Sequence, residues 1–552
     1  MIGRMLMLGV MACAAAVPAV AQSQGTRADA EKDPVLHAML AELDRSTAHL
    51  QLAGFDKPYF IEYRIDDVTE FEASAEYGAL TGERESHNRI ARVTVRVGSY
   101  KSDNSSARGE GSLELTAFED DPMALRYTLW QATDTAYKAA LDAWAAKQAE
   151  LKSVQTPPQA DDFSHEKAEI FLGPVAALDL DRAAWKQNIV DGSGAFASDA
   201  SVQSFADKVE VSRGSLDARV RTVYLVNSEG TITRSSTPEY HAEVALEAQA
   251  PDGMRLVRTY PVAGTSGAEL GTAEHFHQGV VEALTGLEAL YNAPVVTDEY
   301  HGPVLFAGSA AARSFDEYFS RAVAAGRPQL GSTARTTGPF ASSYNTRVLP
   351  DFMKMVDEPS LTTFHGKALL GAYKVDEEGV PAQDVTLVDQ GKLVSYLLDR
   401  EPVKDFPESN GHGRAAIAQP ARAHFGVLHV EATDGLSEDD LEKKLLAMGK
   451  DQGLDSVYLL QIKSGPTEPR VLYRVKVSDG SKQLVRGARL ADVDLRTFRS
   501  DIAAVGSDPY VDNIFGDIPA TIIAPPLLLD DVTVRRGEQR NEKLPFYPPP
   551  GE

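Results

Sequence analysis

Residues 241–260, HAEVALEAQAPDGMRLVRTY, put Ala242, Val244, Leu246 and Ala248 on one side and Glu243, Glu247 and Gln249 on the other. That period of two belongs to a half-buried strand, and Asp252-Gly253 supplies the turn into Leu256 to Tyr260, so the stretch predicts a β-hairpin. Working outward, Arg89 to Gly98 alternates in the same way, with Val93, Val95 and Val97 opposite Arg92, Thr94 and Arg96, and Tyr59 to Ile65 reads as another strand. Helical spacing appears in Val35, Leu36, Met39, Leu40, Leu43 and Leu50. It returns in Tyr137, Leu141 and Trp144, within a helix over about Thr133 to Leu151. A helix is expected from about Asp181 to Asp191 before a glycine-rich turn, and another from Thr272 to Tyr291, stopped at Asn292-Ala293-Pro294. Pro157 and Pro158 mark Ser153 to Asp162 as a linker or surface loop.

After residue 291 short strands dominate. Leu387, Leu393, Tyr396 and Leu398 flank an Asp389-Gln390-Gly391 turn, Val457, Leu459 and Gln461 form one strand, and Val471, Tyr473, Val475 and Val477 form the next. Short strands joined by turns imply antiparallel pairing. The expected fold class is α+β in two parts. A mixed α/β N-terminal domain covers 22–291 with a helical insertion at about 107–174, a largely antiparallel-sheet C-terminal domain covers 292–540, and a Pro-rich tail covers 541–552.

With 552 residues, 43% of them apolar, the chain has material for two cores. A net charge of −25, with no basic block, disfavours nucleic acid and anionic lipid as partners. Arg4, the apolar run from Met5 to Val17 and the small-x-small end at Ala19-Val20-Ala21 read as a signal peptide cleaved near Ala21, so export to a periplasm or secretion is expected, with no membrane span. A loose lipobox ending at Cys13 is the competing anchor reading. Cys13 is the only cysteine, so cleavage would leave neither a disulfide nor a thiolate ligand.

Several phrases together resemble the TldD/PmbA family, zinc metallopeptidases and their non-metal partner subunits, once described as modulators of DNA gyrase. They are Tyr300 to Phe306 followed by an alanine-rich helix, Asp376 to Pro381, Leu387 to Arg400, the Ser409 to Arg414 loop, and Gly487-Ala488-Arg489 leading to Ile502 to Gly506; Val226 to Gly230 matches in the first half. The resemblance implies a zinc site made of His-Glu, three residues, then His, with a distant cysteine. Carried over, the first histidine falls on Asp316, the glutamate on Glu317 and the second histidine on Arg321. A guanidinium has no lone pair to give a metal. Glu317 is therefore the only position matching a catalytic residue, and the plain reading of it is an i,i+4 pair with Arg321 on a solvated helix face.

Other histidines, namely His275, His277, His424 and His429, lack partners at ligand spacing. His412 lies between Gly411 and Gly413, and the resemblance places its loop beside the cleft, facing peptide; Ser409 and His412 together suggest an altered hydrolase site, without a nucleophile elbow. The expected cleft residues are thus Asp316, Arg321, Ser409 and His412, with no cofactor and no metal. The expected function is an exported metallopeptidase-related protein without zinc-peptidase activity, acting as a peptide-binding or partner subunit in a homodimer or in a heterodimer with a related subunit. The alternatives are an active hydrolase with an altered site and a structural envelope protein.

Overall fold

The computed structural model describes residues 25–105, 111–156, 158–464 and 468–537; the expected signal segment 1–21 and the tail 541–552 lie outside the described residues. In the N-terminal half, α1 (Pro34–His49) leads to two long strands, β1 (Phe60–Glu76) and β2 (Ala79–Arg96). Then come β3 (Ser112–Thr116), α2 (Pro122–Leu151), β4 (Ile170–Leu172), α3 (Arg182–Ser198), β5 (Val209–Asn227), β6 (Ile232–Gln249), β7 (Arg255–Gly264) and α4 (Ala273–Asn292). Their seven-stranded sheet runs β3-β2-β1-β5-β6-β4, with β7 also on β6. The hairpin read from residues 241–260 is there, with Val244 opposite Tyr260.

Strand parity decides what this sheet does. Ile61, Tyr63 and Ile65 on β1, with Val93 and Val95 on β2, pack under α1 and α2; further along, Phe71, Ala73 and Ala75 pack under α3 and α4. The opposite parity carries Glu62, Arg64 and Asp66 on β1, Arg92 and Arg96 on β2, and Arg219 and Arg221 on β5. This polar face is covered by the C-terminal half.

That half contains β8 (Tyr300–Phe306), α5 (Ser309–Phe319), β9 (Met353–Asp357), β10 (Val385–Asp389), β11 (Lys392–Leu393), β12 (Val427–Ala432), α6 (Glu438–Asp451), β13 (Ser456–Ser464) and β14 (Glu468–Lys476). It continues with β15 (Lys482–Val485), β16 (Ala488–Ala491), β17 (Ile502–Val505), β18 (Tyr510–Ile514), β19 (Ala520–Ala524) and β20 (Leu527–Arg536). One sheet runs β15-β14-β13-β8-β20-β16 with β17 on β20, and the other runs β11-β10-β9-β12-β19-β18. Pairing is antiparallel except for β8 with β13 and β12 with β19. Helix α5 sits between the sheets: Ala310, Ala311, Ala312, Phe315 and Phe319 share one core with Leu387, Leu428, Leu460, Ile522 and Leu529.

The structure changes three element readings and adds a docked end to the Ser153 to Asp162 loop. α2 begins at Pro122 rather than near Thr133, because Asp121 caps it by accepting from the Ala124 N–H and Pro122 opens its first turn. α3 continues through Gly192 and Gly194 to Ser198 instead of turning; a Cβ on Gly192 would lie 3.0 Å from Val244, so the glycine serves helix-on-sheet packing. α5 ends at Phe319 because the Ala325 N–H donates to the Leu397 carbonyl and the Leu397 N–H donates to Val323, which pulls the chain out of helix. The segment Ser153 to Asp162 ends in a docked residue, Asp162, whose buried carboxylate pairs with Lys147 and with Arg327.

The Asp389-Gln390-Gly391 turn is a type I′ hairpin with positive φ at both central residues, 45° and 73°. A Cβ on Gly391 would lie 2.3 Å from the Leu349 carbonyl oxygen, whereas at Gly453, with φ 71°, it would meet nothing within 4 Å. Gly453→Ala should therefore cost only the left-handed conformation, about 1–2 kcal/mol. Gly391→Ala should cost about 1–3 kcal/mol more from overpacking, read as the difference between the two variants in denaturant midpoints.

Candidate functional site

The apolar stripe of α5 faces the core, which leaves Arg313, Asp316 and Glu317 on its partly exposed side. Arg313 meets Asp512 of β18, Nε to Oδ2 at 2.6 Å. Burial pushes the Asp512 carboxyl up, against the pull of Arg313. Glu317 does not pair with Arg321. Its Oε2 accepts from the Lys463 Nζ of β13, and Lys463 is 1% exposed while Glu317 is 20% exposed. Arg321 lies beyond the end of the helix and is exposed, so the expected i,i+4 pair on a solvated face is replaced by an inter-element ion pair. Burial lowers the Lys463 ammonium from its usual range, while Glu317 and Asp316 act to raise it.

Ser409 and His412 are not peptide-facing. His412 is 0% exposed; its Nδ1 lies 3.0 Å from the Asn410 carbonyl and its Nε2 lies 3.4 Å from Asp357. Ser409 Oγ donates to the Leu398 carbonyl and accepts from the Gly411 N–H, so its hydrogen bonds go to backbone and not to His412. The glycine loop is thus a packed corner, and the Tyr373 hydroxyl closes it on the Gly411 carbonyl. His424 bonds the Phe425 carbonyl, His429 meets Glu358 and His277 meets Asp199, so the histidines are dispersed.

A second polar region joins the two halves. Arg400, 1% exposed, donates to the Ser164 carbonyl and to Glu229, and stacks on Phe163 at 4.0 Å, with Arg96 at 3.9 Å from the same ring. Residues 415–422 form a strap across the polar face of the N-terminal sheet. Arg221 donates to the Ala415 carbonyl (2.7 Å), Arg92 to Ala418 (3.1 Å) and Arg64 to Gln419 (2.5 Å), while Asp66 accepts from the Ala418 N–H (3.1 Å). Burial pushes up the carboxyls of Asp376, Glu378 and Asp399, and pushes Glu62 up to about 7 with Glu378 adding to it.

Residues 297–536 match the family model described as the PmbA/TldA metallopeptidase C-terminal domain. That segment is similar to the C-terminal domain of the TldD/PmbA family. The structure of TldE from Thermococcus kodakarensis superposes with TM-score 0.61 at 16% identity, covering 90% of this chain and 100% of that one. A Thermotoga maritima protein described as a putative modulator of a DNA gyrase gives 0.57 at 15% identity, covering 86% and 96%. These likenesses show a shared fold. A protein named metalloprotease from Archaeoglobus fulgidus is 26% identical over 157 residues, 28% of this chain, and the match spans about a third (32%) of that relative.

The zinc that this family resemblance implies does not fit the residues of this chain. The three carried-over positions hold two carboxylates and a guanidinium, and a buried ammonium sits against Glu317 where a dication would be repelled. Among the described residues no group of three His, Cys, Asp or Glu side chains is arranged to hold a metal ion. Sequence reading missed Lys463, 146 positions from Glu317, because register shifts in β13 between Leu460 and Lys463 break the period-two pattern that could have placed it. Lys463→Met should destabilise the fold by about 3–5 kcal/mol by orphaning Glu317. Arg321→Ala should stay within about 0.5 kcal/mol, with urea melts separating the two.

Proposed function

We propose that this chain is an exported TldD/PmbA-type protein without zinc-peptidase activity, which works as a peptide-binding or partner subunit. The observation that carries the reading is the ion pair between Glu317 and Lys463. In a zinc peptidase a glutamate beside the metal takes a proton from bound water, and the metal needs about three protein ligands to hold it. Here Glu317 already has a cation as partner, Asp316 stands in the first ligand position and Arg321 in the second. The overlap with TldE along the whole of that structure supports a role alongside a related subunit, in a homodimer or heterodimer.

Two experiments test this. Untagged protein should carry well under one zinc per chain, and casein or short-peptide cleavage should be absent with or without a strong chelator. One zinc per chain with chelator-sensitive cleavage, lost in Glu317→Ala, would overturn the reading. Light scattering of the purified chain, alone and with a related subunit, should give about twice the mass of one chain in at least one case; a monomer in both would end the subunit proposal.

A further inference from the structure

A small cavity lies between the polar face of the N-terminal sheet and the C-terminal half. Glu62 and Arg96 line it from the sheet, Glu378 and Glu401 from the facing segment, and Pro420 and Ala421 from the strap. The charges around Glu62 come from every element packed there, and each is committed elsewhere. On β1, Arg64 serves Asp66 and the Gln419 carbonyl; on β2, Arg92 serves Ala418 and Arg96 serves Asp103. Across the gap, Arg400 serves Ser164 and Glu229, Arg422 lies 3.7 Å from Glu401, and Glu377 holds Arg414. Glu378 accepts from the Arg400 backbone N–H. On β5 the residue opposite Glu62 is the neutral Asn227. Among the described residues, no hydrogen bond or ion pair reaches the Glu62 carboxyl.

We infer that the strap at 415–422 is a pH-responsive latch: it seats on the sheet while Glu62 is protonated, and it loosens when Glu62 gains charge opposite Glu378 in their shared cavity. The arginine contacts of the strap are insensitive to pH near neutrality, because they grip backbone carbonyls and guanidinium does not titrate there. Burial and Glu378 place the Glu62 transition at about 7 in the latched state. An acid whose pKa is raised by docking favours the docked form at low pH, and that advantage is lost as pH rises through the docked value. Between pH 6 and 8.5 the opening constant should grow about tenfold, given a released carboxyl near its ordinary value.

Hydrogen exchange of the full chain, followed by mass spectrometry of peptides spanning 415–422, tests the latch. Wild type is compared with Glu62→Gln at the same pH, so that intrinsic exchange chemistry cancels. The ratio of wild-type to Glu62→Gln exchange should be about tenfold larger at pH 8.5 than at pH 6. Asp66→Asn, which weakens the acceptor for the Ala418 N–H, should speed exchange at both pH values and shows that release is detectable. A wild-type to Glu62→Gln ratio that is the same at pH 6 and pH 8.5 would overturn the proposal.

Discussion

The carboxylate of Asp66 is the point on which the two halves depend. It is fully buried, it takes two hydrogen bonds from Arg221 at 2.9 and 2.6 Å, it lies 3.5 Å from Arg64, and it accepts the Ala418 N–H of the strap. Burial alone would push this acid up, yet Arg64 and Arg221 outweigh it and hold the carboxyl below its usual range. The same charge permits an otherwise unfavourable arrangement, since Arg64 and Arg92 are directly opposite on β1 and β2. Both can stay because Asp66 and the strap carbonyls accept their protons. The N-terminal sheet is consequently buried on both sides, by helices on its apolar face and by the strap on its charged one.

The second fixed point is α5. Its Phe315 and Phe319 are fully buried between two sheets, and they hold the last turn of the helix so that Glu317 reaches Lys463. A helix kept for packing can retain the position of a catalytic glutamate while its neighbours lose metal-binding chemistry. Lys463 is consistent with that because it pairs with Glu317, and none of Asp316, Arg321 and Lys463 provides an imidazole or thiolate.

Much of the fold was legible because period-two patterns in β2, β6 and β7 and the Asp389-Gln390-Gly391 turn are local signals. The fold class was legible for the same reason. What sequence spacing missed was set by distant partners. Gly192 looked like a helix breaker until Val244 and Phe276 gave it a reason to lack a side chain, and Arg321 looked helical until Leu397 drew the following residues away. At the site, the absence of His and Cys donors at the carried-over positions could be read from residue types alone. The partner of Glu317 could not, because Lys463 comes from a strand far along the chain. His412 misled for a related reason: two flanking glycines suggest access, but here they let the backbone pack, with Gly411 close against the Pro381 carbonyl.

The most direct test of the account is a crystal grown with excess zinc and measured on both sides of the zinc absorption edge. The account predicts Lys463 Nζ on the Glu317 carboxylate and no anomalous peak between Asp316 and Glu317. An anomalous peak bridging those two carboxylates, with the Lys463 side chain displaced, would contradict it.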